Sequence, residues 1–241
     1  MLTPEQLEEI KKFDGPTICN ALECFGLRPK TAGFALPGMT PRTLVKQRLI
    51  GYAATVRVSA TQPADAEAGE RLIDYYAHLR ETARPSIAVV QDIDPQPIGS
   101  FWGEVQATVH KSLGAAGTLT LGGVRDLAEV EGLGFQFFST ELLISHANIH
   151  VIESNCGVDI LGLRVNPGDL LFADIHGIVK IPHEAAAKLA KACQGIADAE
   201  LPMLTPCRLA IKNGTTPTTD ELRAWRAGMA KARNAVADII Q

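Results

Sequence analysis

The chain is poor in the features that most readily announce a function. Of its 241 residues 5 are cysteine and 5% are aromatic, and Lys and Arg (23) are outnumbered by Asp and Glu (27), for a formal charge of -4. Cys19, Cys24, Cys156, Cys193 and Cys207 stand at unrelated spacings with no C-x-x-C among them, which argues against a zinc ribbon or a thioredoxin-type motif. With no basic block, nucleic acid and anionic membranes are poor partners. The uncharged stretch from Ser112 to Val124 is too short and too glycine-rich to span a bilayer. The opening Met1–Lys12 is amphipathic and has no apolar signal core. There is no G-x-S-x-G, no Walker A loop and no internal repeat. These absences point to a reduced, soluble, cytoplasmic protein acting on small molecules or on other proteins.

What is present suits a folded domain. At 46% apolar and 21% charged, the chain can bury a substantial core. Thr3-Pro4-Glu5-Gln6 reads as a helix start, and a second helix runs from about Thr17 to Phe25, ending at Gly26. Pro29, Pro37 and Pro41 make 28–48 an ordered loop with a strand or two. Gly51–Val58 reads as a strand by alternation and β-branched content. Helices over Asp65–Arg80 and Gly103–Leu113 then alternate with strands at Ser86–Val90, Gly117–Leu121 and Phe135–Phe138, and a short helix follows Asp126. That order implies parallel strands with crossover helices. After His146 come five short β-like pieces, expected to be antiparallel and packed on the first unit. Helices over Pro182–Ala199 and Asp220–Ile239 close the chain, with a Pro-, Thr- and Gly-rich link around 206–219. The expected architecture is a layered β/β/α fold of the swivelling-domain kind, with helical elements at both ends, a main domain over 1–205 and a helical extension over 206–241.

Candidate chemistry gathers where parallel strands hand over to helices, because open α/β sheets bind ligands at the carboxyl ends of their strands. Gly122-Gly123-Val124-Arg125-Asp126 offers close backbone approach, a carboxylate-binding guanidinium and a hard oxygen donor for a divalent cation. Asp126 as a plain helix cap, with Arg125 paired to Glu129, fits the same residues. At the preceding junction, 99–108, a glycine opening a helix leaves free backbone N–H groups able to hold an anion such as a substrate carboxylate. A plain helix start, with Glu104 favouring the dipole and Trp102 packing, is the alternative. Because the two junctions follow consecutive strands, both can face one crevice. Asp174, His176 and Gly177 suit a turn between strands. His146 and His150 are four residues apart, as zinc ligands on a helix would be, but Ile149–Ile152 reads as strand, which argues against zinc. His78, His110 and His183 read as helix-surface residues. The cysteines have no activating His beside them in sequence.

Several of these pieces occur in an order that resembles the RraA-like family, whose catalytic members are 4-hydroxy-4-methyl-2-oxoglutarate aldolases. They are Thr17-Ile-Cys-Asn-Ala-Leu22, Gly51–Val56, Trp102–Thr108, Gly122-Gly-Val-Arg-Asp126, Ser145–Val151 and Pro167–Pro182. The Arg-Asp turn, 22 residues after the helix-opening glycine, is the most specific. The resemblance implies a trimeric or hexameric ring and a Mg²⁺- or Mn²⁺-dependent lyase acting on a 2-oxo acid, with oxaloacetate decarboxylation as a side activity. It places the pyruvyl carboxylate on the amides of Gly103, Glu104, Val105 and Gln106, the substrate-binding arginine at Arg125 and the metal-binding aspartate at Asp126. An acidic residue from a neighbouring subunit joins the metal's outer shell in that family, and Glu200 lies near the corresponding place. This chain has Ile175-His176 where many members carry two acids, and the pocket for the distal part of the substrate is unassigned. The family's namesake is a non-enzymatic inhibitor of an RNA-degrading endonuclease, so a protein-binding regulator is the alternative. Relatives have also been labelled menaquinone methyltransferases, which would want a glycine-rich loop after the first parallel strand, and none is present.

Overall fold

The run of apolar and β-branched residues Leu49–Ser59 forms the longest strand and the axis of the sheet. A computed structural model describes residues 1–240. In chain order its elements are α1 (Pro4–Ile10), α2 (Gly15–Glu23), β1 (Thr40–Pro41), β2 (Leu49–Ser59), α3 (Ala68–Glu81), β3 (Ser86–Asp92), β4 (Ser100–Trp102), α4 (Glu104–Ser112) and β5 (Ala115–Val124). They continue as α5 (Leu127–Leu133), β6 (Gln136–Leu142), β7 (His150–Ser154), β8 (Val158–Ile160), β9 (Leu163–Val165), β10 (Leu170–Asp174), β11 (Gly177–Ile181), α6 (His183–Asn213) and α7 (Thr219–Ile240). Two compact units result: Ala32–His183 together with Met1, and Leu2–Thr31 together with the chain from Glu184.

In the first unit, β6, β5, β3 and β2 are parallel neighbours, as the alternation of strands and helices predicts. The later strands are antiparallel, also as expected. β10 pairs with the first half of β2 and with β11, β7 pairs with the second half of β2, and β8 and β9 form a separate two-stranded sheet. The pleat of β3 sends alternate side chains to opposite faces. Ala88 and Val90 join an aromatic-rich core with Tyr75 and Leu79 of α3, Ala107 of α4 and Val130 of α5. Ile87 and Val89 join a second core with Val158, Ile160, Leu163 and Val165 of the small sheet. Helices, main sheet and small sheet are thus the three layers of a β/β/α fold.

The short strand β4 is absent from the expected elements, and it is what builds the site. β3 ends at Asp92, and β4 takes its place beside the last residues of β5, Ser100 opposite Gly123 and Trp102 opposite Val124. β5 consequently continues through Gly122 and Gly123 rather than ending in a turn there, with its register against β6 shifting between Thr120 and Gly123.

In the second unit, Thr3 and Gln6 form a capping box on α1, and Asp14 caps α2. α6 does not stop at Ala199: it continues through Pro202 and Pro206 to Asn213. The two prolines stand one turn apart, so both missing N–H bonds fall on one side of the helix. Strong helix formers (Ala, Glu, Leu, Met) flank them. Gly214, at φ 65°, ends the helix, with Thr215 N–H reaching back to the Ala210 carbonyl. Thr218 and Glu221 form the capping box that starts α7. Among the described residues no helix is long and apolar enough to cross a membrane, and none of the five cysteines is in a disulfide.

Candidate active site

Parallel pairing of β4 with β5 sets Gly103, the residue after β4, beside Arg125, the residue after β5; the Arg125 N–H donates to the Trp102 carbonyl at 3.1 Å. The chain turns at once into α4 after Gly103 and into α5 after Asp126, so two helix starts and an Arg-Asp pair share one edge of the sheet.

Asp126 stands in the N-cap position of α5 but does not cap it. Its backbone is left-handed (φ 56°, ψ 43°), a region Asp tolerates better than most residues, and this carries the carboxylate away from its own helix. Oδ2 instead accepts the Glu104 N–H of α4 at 3.0 Å. Arg125 is not paired with Glu129: its Nε lies 3.9 Å from Asp126 Oδ2, and its Nη1 donates to the Ile144 carbonyl at 3.4 Å. Both side chains are a little over one-third exposed.

Gly103 makes this arrangement possible sterically. A Cβ here would sit 2.4 Å from Asp126 Oδ2 and 3.3 Å from Arg125 Nε. Of the α4 amides, that of Glu104 is engaged by Asp126, while those of Val105 and Gln106 have no acceptor among the described residues. The paired glycines Gly122 and Gly123 pack against Asp92 and Leu143 respectively. A Cβ at Gly123 would meet the Leu143 side chain at 2.4 Å, so that glycine serves packing.

Beside these groups opens a cleft of about 410 Å³. Gly103, Val105, Gln106, Arg125, His146 and His150 all line it. Ala68, Leu72, Phe101, Ile149 and Val151 make much of the remaining wall apolar. Among the described residues no group of three or more His, Cys, Asp or Glu side chains is placed to hold a metal together. Asp174 and His176 pair with one another at 3.3 Å in the β10–β11 turn, next to the beginning of β2 rather than its end. They therefore stand apart from the cleft.

Two buried polar side chains near these junctions have no local sequence signal. His110, expected on a helix surface, is fully buried among Tyr75, Tyr76, Phe101 and Trp102. Its Nδ1 lies 2.7 Å from the Gln106 carbonyl, so Nδ1 carries the proton and Nε2, 3.0 Å away, accepts from the Tyr75 hydroxyl. Burial lowers its pKa to about 4, leaving the ring neutral at pH 7. Tyr76 donates to Gln106 Oε1 at 2.8 Å, so this aromatic cluster also steadies a cleft side chain.

Asp92, at the carboxyl end of β3, is 6% exposed, and its Oδ2 has no hydrogen-bond partner among the described residues. Burial raises its pKa to about 6. The folded state therefore holds this proton more tightly than the unfolded chain, so its contribution is most favourable below the ordinary carboxyl value and is lost as pH rises through about 6. Asp92→Asn removes that ionisation. The melting-temperature difference, variant minus parent, should be more positive at pH 7.5 than at pH 4.5 by about 3 °C or more. A thermal-melt series across that range checks it, and a difference that does not vary with pH would contradict the assignment.

Comparison with known proteins places the chain among described ones. The sequence model of the RraA-like family, Aldolase/RraA, matches residues 15–180. The chain is 23% identical over 183 residues to the protein DlpA of Legionella pneumophila, spanning 75% of this chain but only 28% of DlpA. It is 28% identical over 160 residues to a Halalkalibacterium halodurans protein provisionally named a 4-hydroxy-4-methyl-2-oxoglutarate aldolase, covering 61% of this chain and 69% of that one. Among solved structures, Streptomyces coelicolor RraAS2, described as an unusual member of the RNase ES inhibitor RraA protein family, superposes with a TM-score of 0.62 at 23% identity, over 79% of this chain and 91% of that one.

Proposed function

The chain belongs to the RraA-like family, and on that premise we propose that it is a divalent-metal-dependent lyase that cleaves a 4-hydroxy-2-oxo acid by a retro-aldol reaction, releasing pyruvate. The family takes in proteins named as aldolases and proteins named as ribonuclease inhibitors. The observation that carries the enzymatic reading is that Gly103 and Arg125 line one cleft while Asp126, turned away from its own helix, sets its carboxylate against both.

The donor chemistry suits Mg²⁺ or Mn²⁺. Asp126 contributes one carboxylate in which Oδ2 is steadied by the Glu104 amide and Oδ1 has no partner among the described residues. A hard cation that keeps several waters and takes one protein carboxylate plus substrate oxygens matches that set, whereas a metal needing three or four side chains does not. When bound, the cation would supply Lewis-acid polarisation of the 2-oxo group.

The chain's own residues do the rest. The free amides of Val105 and Gln106 sit at the positive end of α4 and would hold the substrate carboxylate. The Arg125 guanidinium, with most of its N–H donors unbound, would donate to the 2-oxo oxygen as it gains charge during C–C cleavage. Loss of CO₂ from oxaloacetate builds charge at the same oxygen, so decarboxylation is the natural second activity. Lys111 and Lys180 are spent elsewhere, on the Leu133 carbonyl and on Asp169, and no lysine lines the cleft. This accords with a mechanism that needs no Schiff base. The proposed assembly is a homotrimer or homohexamer.

A screen of 4-hydroxy-2-oxo acids and oxaloacetate, read by pyruvate release with Mg²⁺ or Mn²⁺ present and after chelation, tests the reading. The expected result is metal-dependent release that Arg125→Ala lowers by about 10²–10³-fold. Release from none of them, together with direct binding to an RNA-degrading endonuclease, would replace the enzyme with the regulator.

A further inference from the structure

Retro-aldol cleavage requires a base for the distal hydroxyl, and the cleft holds two imidazoles to which the scheme above gives no task. His146 and His150 both line it. In each ring Nδ1 lies against a backbone carbonyl, 2.7 Å from that of Ala147 and 2.8 Å from that of Asn148. A carbonyl can only accept, so Nδ1 is the protonated nitrogen of the neutral ring and Nε2 carries the lone pair. Neither Nε2 makes a hydrogen bond among the described residues.

The loop bearing His146 is fastened to the catalytic edge. Ser100 of β4 donates its N–H to the Ser145 carbonyl at 2.8 Å, and Arg125 donates to the neighbouring Ile144 carbonyl. Ala147 is left-handed (φ 45°), a conformation costing an alanine roughly 1 kcal/mol or more. It is maintained by its N–H bond to Ser145 Oγ (3.0 Å) and by the Ile149 N–H bond to the His146 carbonyl (3.0 Å). An unfavourable backbone held from several sides, next to a ring with an unused lone pair in a cleft, is the arrangement expected of a positioned acid–base group. His150 belongs instead to β7, paired opposite Ser59, and its ring is less directly tied to the Arg-Asp turn.

We propose that His146 Nε2 is the base that removes the proton from the C4 hydroxyl of the substrate. The inference rests on the lyase reading above. As Nε2 takes the proton, the O–H electron pair becomes the new C4 carbonyl π bond. The C3–C4 bond breaks, and its electron pair moves toward C2 to give the enolate of pyruvate. The carbonyl product leaves, and the imidazolium returns its proton to C3, completing the pyruvate methyl group. The proton lost from oxygen is thus the one gained by carbon, and no further reactant is needed. Oxaloacetate loses CO₂ without a hydroxyl proton to remove, so its decarboxylation makes no such demand on His146.

The experiment compares full-length parent, His146→Ala and His150→Ala on 4-hydroxy-4-methyl-2-oxoglutarate and on oxaloacetate with Mg²⁺, with melting curves to verify folding. His146→Ala should lower kcat for the aldol by about 10²-fold or more, with KM changed by less than about threefold. The ratio of aldol cleavage to decarboxylation should fall by a similar factor, and added imidazole should recover at least about tenfold of the lost aldol rate. Equal losses on both substrates without imidazole rescue, or a selective loss in His150→Ala alone, would overturn the assignment to His146. So would a parent enzyme that decarboxylates oxaloacetate but leaves this aldol intact. A parent that releases pyruvate from neither substrate defeats the lyase reading itself, which separates the two failures.

Discussion

Asp126→Asn should fold as the parent does and lose pyruvate release by about 10³-fold, at any Mg²⁺ or Mn²⁺ concentration up to the millimolar range. The substitution preserves shape. Asn tolerates the left-handed backbone at this position as well as Asp does, and its carbonyl oxygen can still accept the Glu104 N–H that Oδ2 now accepts at 3.0 Å. What disappears is the negative charge, and with it the one anionic oxygen donor that the Arg-Asp turn offers to a cation. Because the side chain is 39% exposed and its ion pair with Arg125 is a long 3.9 Å, the stability change should stay within about 1 kcal/mol, or roughly 2–4 °C in melting temperature. Pyruvate release measured alongside a thermal melt checks both halves. A variant retaining more than a tenth of the parent rate would remove Asp126 from the proposed metal site.

Gly103→Ala should have a comparable effect on activity by a different route. Its backbone (φ -158°, ψ -168°) is extended and open to any residue, so the glycine is not required for conformational reasons. It is required because an added Cβ would stand 2.4 Å from Asp126 Oδ2, well inside van der Waals contact. The carboxylate would have to swing away, releasing the Glu104 amide and moving the Arg125 side chain that sits 3.3 Å from the same point. Displacement of reacting groups by about 1 Å costs on the order of 10²-fold in rate, and the loss of the carboxylate position adds to it. The change lies in a partly exposed turn, so melting temperature should fall by no more than a few degrees. Activity and melting temperature measured on the same preparation decide the matter. Near-parental activity in Gly103→Ala would mean that the carboxylate position seen here is not the one used in turnover.

These two expectations also mark where the sequence stops being informative by itself. The alternation of Ser86–Val90, Gly117–Leu121 and Phe135–Phe138 with helical segments was enough to predict parallel strands joined by crossover helices, because apolar periodicity and crossover length are local properties of the chain. The antiparallel pieces after His146 were legible for the same reason. Arg125, Asp126 and the Gly103 helix start were visible as candidates because strand ends in a parallel sheet fall on one edge. Their choice between roles was not. Whether an aspartate before a helix caps that helix or turns toward another depends on its backbone conformation, and the left-handed φ of 56° is one that Asp tolerates but that its residue type does not dictate.

Other features depended entirely on contacts between distant segments. β4 is too short for any periodicity, and it forms because the end of β5 lacks a neighbour once β3 stops at Asp92. His110 reads as a surface residue on an amphipathic helix, yet α4 is buried on that side against Tyr75 of α3, so the ring becomes a neutral core group. α6 passes through Pro202 and Pro206, where local propensity alone ends a helix. His146, in the loop before β7, and His150, the first residue of β7, both come to line the cleft. By itself, then, the sequence determined the layered fold and the residues able to do chemistry, since both follow from local pattern and side-chain type. Which of those residues meet, and with which atom free, was decided by the tertiary structure, because proximity in a sheet is set by strand pairing over tens of residues and not by neighbours in the chain.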